Sequence, residues 1–403
     1  MNTNVLREAA DRFGTPLYVF DLDTVRERVE RFRHGFGSGV TLTYSMKTNP
    51  FLTGPMSETA DRIEVCSMGE FCICRDLGIA PEKLYISGVL KLKGDLEQIL
   101  EYGTDRARYT AESPQQLAYL SEWAKAHGKT LRVYPRLTNG SQFGMDADTI
   151  VSLIRDRVSF PNIEFAGIHF FSGTQKKKLR KHQKELAMLD AFFARLLEEA
   201  EYVVPELEYG TGFAVPYFED EKAQEDLRDP ESLAAFMDMI RGMNWKGSVT
   251  IEMGRAYAAE CGSYVTTACD LKVNDGSHIC LLDGGIHQIN YDGQIKGMYR
   301  PPIEVIPRDG SASAQDEAPE HWMLCGSLCT MNDVLCRDFA GTIREGDRVV
   351  FGKAGAYSVY EGMSLFLSHE LPGVVLYSEK DGLVQVREQT QTYPLNEGPA
   401  PKA

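Results

Sequence analysis

Eight short apolar runs recur between residues 40 and 252, and segments of helical periodicity fall between them. The runs are residues 40–44, 62–65, 84–87, 107–110, 131–136, 163–170, 206–209 and 248–252. The stretch 113–126 and the amphipathic 185–199 show the intervening pattern, with apolar residues returning every three or four positions. Strand and helix in eightfold alternation is the pattern of a (β/α)8, TIM-like barrel. A doubly wound open sheet is the competing solution. It carries a G-x-G-x-x-G turn after its first strand, and that turn is missing here.

Beyond about residue 262 the pattern changes. Strand-like runs recur at 264–273, 278–283, 322–326, 348–352, 374–378 and 383–387 without long helices between them. The last two flank Glu379-Lys380-Asp381-Gly382, which has the chemistry of a hairpin turn. A second, mostly β domain is expected, and the early run 17–20 is a candidate to join it. The expected boundaries are 24–262 for the barrel and 1–23 with 263–390 for the β-rich domain. The polar, Pro-containing tail 391–403 is expected to be disordered, and the polar stretch 311–320 reads as an exposed loop.

Charge and cysteine content exclude whole classes of partner. A net charge of −15 argues against nucleic acid and anionic membranes. No apolar run has the length of a transmembrane helix, and residues 1–8 contain no export-type apolar core. Nine cysteines in such a chain read as reduced thiols, and so as a cytoplasmic location. Cys72 and Cys74, like Cys325 and Cys329, lack a second ligand pair at metal-binding spacing, so no metal site is expected.

Catalytic groups of such barrels sit at the C-terminal ends of the strands. Lys47 lies just past the first run, in Tyr44-Ser45-Met46-Lys47-Thr48-Asn49-Pro50. An amine held there in a partly apolar site loses its proton readily and can attack a carbonyl. Other ends carry Glu70, Arg136, the segment 167–175, Gly210-Thr211-Gly212 and Glu252-Met253-Gly254-Arg255. Glycines 210 and 212 let backbone N–H groups approach an anion, and Arg255 can grip it with two bonds. Each feature alone has a plainer reading, as a solvated lysine, a tight turn or a surface acid. Together they fit pyridoxal phosphate, with the lysine on its aldehyde, the glycines on its phosphate and a carboxylate on its ring nitrogen.

Over nearly its whole length the chain resembles the fold-type III pyridoxal-phosphate decarboxylases. This is the diaminopimelate, ornithine and arginine decarboxylase family, whose barrel is alanine racemase-like. Motifs at 44–49, 66–70, 167–175, 210–213, 252–255, 283–285, 329–333 and 355–357 come in the family's order. The resemblance implies that Lys47 bonds the cofactor and that Glu252 partners the ring nitrogen. It implies that Thr174, Gly210, Gly212, Arg255 and Tyr357 surround the phosphate, with Thr211 and Gly254 in the same loops. Glu70 would pair with Lys47, and Arg136 would lie near the ring oxygen. His169 is kept as a cofactor contact. Phe171 would stack on the ring where the family has a second histidine. Cys329 would reach across a homodimer interface and protonate the substrate carbon after CO2 leaves.

Tyr299, Arg300, Thr330 and Asp333 are the expected substrate contacts. Thr330 and Arg300 stand where relatives have acids, and Ile295 where diaminopimelate decarboxylases have an arginine. These changes point to a substrate that is neutral or anionic at its far end. Residues 176–184 hold six Lys/Arg in nine positions and are expected to rim the barrel mouth. A solvated helix face is the plain reading; an anionic substrate or an acidic carrier with a tethered aminoacyl group is the sharper one. The activity implied is decarboxylation of an amino acid or aminoacyl group. A racemase and a non-catalytic regulator are the alternatives. Glu252 argues against the first, and the presence of both Lys47 and Cys329 against the second.

Overall fold

The computed structural model describes residues 1–219, 226–308 and 319–399, so most of the expected loop 311–320 lies outside the described residues. The described residues fall into two compact units. One comprises 26–215 and 226–257; the other comprises 1–25, 216–219, 258–308 and 319–399.

The first unit is an all-parallel barrel. Its strands run, in spatial order, Ile163–Phe165, Leu131–Pro135, Arg108–Ala111, Leu84–Ile86, Arg62–Val65, Val40–Ser45, Ser248–Met253, Glu206–Gly210 and Ile168–Phe171. The sixth expected strand is therefore two. Its first half pairs with Leu131–Pro135 and its second half with Glu206–Gly210. Gly167 makes the break possible, because a Cβ there would run into Glu206 O and lie 2.7 Å from the Tyr134 ring. The ring closes across this break. Ala166 N donates to Val133 O and Leu137 N to His169 O, both at 2.9 Å.

Helices follow the strands, and several begin on capping side chains in the loops that leave the strand ends. Ser67 caps Met68–Asp76, Ser113 caps Pro114–Ala126, Asp146 caps Ala147–Arg155 and Asp229 caps Pro230–Arg241. These caps satisfy helix N–H groups and fix where each loop turns back. Among the described residues no helix is long and apolar enough to cross a membrane.

The barrel interior is polar. Thr43, Arg62, Glu64, Glu208, Thr250 and Glu252 are all buried at alternating strand positions. Buried polar and ionisable groups need hydrogen-bonded partners. Arg62 Nη1 meets Glu208 at 3.0 Å and also contacts Glu206, and Thr43 Oγ1 donates to Glu208 at 2.7 Å.

The second unit is built on a mixed sheet ordered Val334–Gly341, Glu320–Cys325, Ser277–Leu282, Gly262–Asn274, Leu17–Asp21, Gly373–Ser378 and Gly382–Arg387. The early strand sits inside this sheet, as expected. Helix Thr3–Phe13 buries Leu6, Ala9 and Ala10 against Val19, Val265, Val350 and Val375. The 374–387 hairpin forms antiparallel. The tail differs from expectation. Thr392 is buried and donates to His369 O at 2.7 Å, and the short helix Tyr393–Asn396 follows, with Asn396 Nδ2 on Leu365 O at 2.9 Å. Residues 400–403 lie outside the described residues.

Replacing Gly167 with Ala should destabilise the protein by about 1–3 kcal/mol, because the methyl group meets backbone rather than a movable side chain. A shift of the urea midpoint measures it, and an unchanged midpoint would contradict the role given to Gly167.

Candidate active site

Lys47 leaves the strand Val40–Ser45 in a single 3-10 turn, Met46–Thr48. Its Nζ lies 2.9 Å from Glu64 Oε2 and 3.6 Å from Cys66 Sγ. The lysine side chain is 40% exposed, while its acid partner is 2% exposed. Ser45 Oγ also donates to Glu64, and Cys66 Sγ donates to Glu64 Oε1 at 3.3 Å. Burial alone would raise the Glu64 carboxyl. The Lys47 ammonium and the Ser45 hydroxyl outweigh it and hold the group well below the usual carboxylate range.

The expected partner of the lysine was Glu70. Glu70 instead accepts the backbone N–H of Cys66 at 2.6 Å, in the first turn of its own helix. The acid on the lysine is Glu64, at the C-terminal half of the neighbouring strand. Sequence reading passed over Glu64 because it sits within an apolar run. Its signal was an acid near the C-terminal end of the second run, and the strand register sets it level with Ser45, two residues before the lysine.

Glu252 lies at the end of the last barrel strand, with its Oε2 3.2 Å from His169 Nε2. Burial favours its protonated form, and so does a hydrogen bond to the Glu64 carboxylate. Burial and the Arg136 charge push His169 down to about 3, so its ring is neutral. Arg136 is buried against Glu112 at 2.9 Å, and the Phe143 ring stacks on its guanidinium at 4.5 Å. Glu112 also accepts Gly144 N at 2.9 Å, which ties the 138–145 loop to the arginine. Glu112 was another residue that sequence reading missed.

The glycine loop follows Glu206–Gly210. A Cβ on Gly210 would lie 2.5 Å from the Phe171 ring, and one on Gly212 would run into Gly173 O. Gly212 has φ +58. Glycine is therefore required at both positions, and Phe171 lies over the loop. Thr211 Oγ1 is buried without a partner among the described residues. Gly254 packs on Thr48 Oγ1, and Arg255 is buried beside it. Thr174 is exposed, in the neighbouring 172–175 loop.

Lys91 is a second amine near these strand ends. Its Nζ donates to Gly88 O at 2.8 Å, Thr110 Oγ1 at 2.9 Å and Gln116 Oε1 at 3.2 Å. All three of its protons have acceptors, so it anchors a loop. Lys47 is the amine left partly exposed.

The basic run divides. Lys176 is buried and paired with Glu185 at 2.8 Å, and Glu185 also accepts from Ser172 and Tyr209, each at 2.5 Å. Lys176 is therefore an anchor, against the expectation of a solvated rim. Lys178, Arg180, Lys181 and Lys184 are exposed where the helix Leu179–Ala200 begins.

The remaining expected residues belong to the other unit. Cys329 is exposed in the loop between Glu320–Cys325 and Val334–Gly341, beside Thr330. Asp333 is buried, and its carboxylate accepts Ile286 N at 2.8 Å and Leu328 N at 2.7 Å. It holds that loop in shape, which leaves little of it for the substrate contact expected. Arg300 pairs with Glu219 at 2.6 Å, and Tyr299 packs on Phe218 with ring centroids 5.1 Å apart. Tyr357 has φ +63 and accepts Tyr360 N at 2.7 Å.

Pyridoxal phosphate fits the residues of the barrel end. Thr211 Oγ1, His169 Nδ1 and Arg136 Nε are buried polar atoms without a partner among the described residues. The glycine loop leaves no room for side chains beside its N–H groups. Lys47 supplies an amine and Glu252 a buried acid that can follow a ring proton.

Cutting the Arg136 pair should be costly. Arg136→Met leaves Glu112 buried without its cation and should destabilise the cofactor-free protein by about 3–5 kcal/mol in urea unfolding. Adding Glu112→Gln should recover part of that loss; no recovery would contradict the pairing.

Comparison with known proteins agrees with this site. The family described as "Pyridoxal-dependent decarboxylase, pyridoxal binding domain" matches residues 22–259. The chain is 28% identical over 389 residues to the L-glutamyl-[BtrI acyl-carrier protein] decarboxylase of Niallia circulans, covering 91% of this chain and 89% of that one. It is 25% identical over 372 residues to the diaminopimelate decarboxylase of Aquifex aeolicus, covering 87% and 84%. The crystal structure of a diaminopimelate decarboxylase from Methanocaldococcus jannaschii superposes with a TM-score of 0.83 at 21% identity, covering 98% of this chain and 94% of that one. The match spans more than half of the sequence and contains Lys47, Glu64, Glu252 and the glycine loop, and the chain belongs to the pyridoxal-dependent decarboxylase family.

Proposed function

We propose that the protein removes the free α-carboxylate of an amino acid tethered to a carrier through its side chain, working as a homodimer in the cytoplasm. The observation that carries the decarboxylase reading is the cluster of Lys47, Glu64, Glu252 and His169 at the barrel end. Pyridoxal phosphate, when bound, supplies an electron sink for the pair released as CO2 departs.

The chain's own residues bind, orient and move protons. Lys47 would hold the aldehyde carbon. Gly210, Gly212, Thr211 and Arg255 would grip the phosphate, with Thr174 and Gly254 beside them. Glu252 would keep a proton at the ring nitrogen, with its carboxyl oriented by His169. A racemase is disfavoured by the same acid, since a ring nitrogen held protonated commits the electrons to the ring. Cys329, on the loop that Asp333 shapes, would deliver a proton to the substrate carbon of the partner's site. Met331, Tyr360, Met363 and Phe366 are exposed apolar residues of the same unit, as a face covered by a second copy would be. The nine cysteines carry no disulfide, which suits a reducing compartment.

Carrier delivery is supported by charge. In a chain of net charge −15, Lys178, Arg180, Lys181 and Lys184 stand exposed together. The helix they open has no acid in its first turn to balance its dipole. The relative from Niallia circulans is named for a carrier-bound glutamyl substrate. A free diaminopimelate-like amino acid is the second reading, favoured by the Aquifex aeolicus relative.

CO2 release separates the two. An amino diacid joined to an acidic carrier as a thioester of its side-chain carboxyl should turn over with kcat/KM about tenfold or more above the free amino acid, and that advantage should shrink as salt rises. Charge reversal at Lys178, Arg180 and Lys181 should flatten the salt dependence while sparing kcat. A triple variant that treats tethered and free substrates as the native protein does would leave this face a solvated surface.

A further inference from the structure

Below the site, two acids share one arginine inside the barrel. Glu206 accepts from Arg62 Nη2 at 3.2 Å, Tyr134 OH at 3.0 Å and Thr250 Oγ1 at 2.6 Å, and it also contacts Arg62 Nη1. Glu208, the next inward residue, is fully buried and has fewer donors: Thr43 Oγ1 at 2.7 Å and Arg62 Nη1 at 3.0 Å. If both acids were ionised, a net negative charge would be buried in the barrel floor.

That floor lies one strand repeat beneath Glu252. Glu252 is level with Gly210 and Thr250 with Glu208, so the two acids are about 7 Å apart along the strand direction. They also share walls. His169, which bonds Glu252, is the strand neighbour of Glu208. Thr43, which bonds Glu208, is the strand neighbour of Glu252. The groups around Glu208 are thus Arg62, Thr43, Glu206, Tyr85, Tyr134, His169, Thr250 and Glu252. The Tyr85 hydroxyl is fully buried, has no partner among the described residues, and feels the Glu208 charge more than any other.

We propose that Glu208 is a positioning residue that carries a proton as a neutral carboxylic acid and so keeps the barrel floor uncharged beneath Glu252. Arg62 and Glu206 then cancel, and Glu252 is the acid left to ionise opposite a ring nitrogen. Burial pushes Glu208 up to about 8 against the pull of Arg62, in keeping with this arrangement. The inference rests on the reading that Glu252 meets the ring nitrogen, but the proton on Glu208 can be tested without it.

The infrared spectrum of the cofactor-free protein reads that proton. In Glu252→Gln, the carbonyl stretch of a buried carboxylic acid should remain at pH 6.5 and fade as the pH is raised, with a midpoint somewhat below the value of about 8 reached with the Glu252 charge in place. It should vanish when Glu208→Gln is added. No such band in Glu252→Gln means that Glu208 is ionised, and the proposal falls. In the pyridoxal phosphate-loaded protein, the pH at which the bound chromophore loses its ring proton should fall by about one to two units in Glu208→Gln, because a negative charge about 7 Å from Glu252, which would hold that proton, no longer forms. A merely structural Glu208 would leave that midpoint alone. A midpoint that moves in Glu252→Gln but not in Glu208→Gln overturns the proposal. One that moves in neither overturns the role of Glu252 instead. If Glu208→Gln does not fold, the band in Glu252→Gln decides.

Discussion

The contact between Lys47 and Glu64 sets the terms for everything at the barrel end. A carboxylate almost wholly out of water needs a counter-charge, and the lysine ammonium provides it at 2.9 Å with help from Ser45. That arrangement settles which of two neighbouring acids is ionised. Glu64 takes the charge, and Glu252, hydrogen-bonded to it, keeps the proton. Were Lys47 bonded to an aldehyde, its charge would no longer depend on the protein alone, and the proton held by Glu252 would be available to a basic ring nitrogen. The site is thus poised by charge balance rather than by shape alone.

The same economy of charge extends down the barrel. Arg62 serves two acids, and hydroxyls of Thr43, Thr250 and Tyr134 fill the remaining positions. A polar interior costs stability relative to packed apolar residues. Its presence beneath the site is consistent with a function that needs controlled protonation. Around it, the strand break at Gly167 and the glycine loop at 210–212 bring Phe171, His169 and Glu252 to one end.

Periodicity made the barrel legible, because eight strands separated by amphipathic helices leave a strong repeat. It did not show that residues 163–171 form two strands, since the break depends on a clash with Glu206 O from a distant strand. Lys47, Glu252, Arg136 and the glycine loop were legible from their places at strand ends. Glu64 and Glu112 were not, because their importance lies in partners on neighbouring strands. Lys176 looked like part of a surface run and is instead buried, because Glu185 lies on the next helix and folds back over it. Asp333 looked like a substrate contact and is a loop brace. In each case local sequence named the residue type, and tertiary contact decided its use.

The central claim is that Lys47, rather than Lys91, the buried amine near these strand ends, bonds the cofactor. Borohydride reduction of the pyridoxal phosphate-loaded protein, followed by peptide mapping, tests it directly. The account predicts a single reduced adduct on Lys47. An adduct on Lys91, whose three protons are all engaged here, would contradict the charge arrangement from which the rest follows.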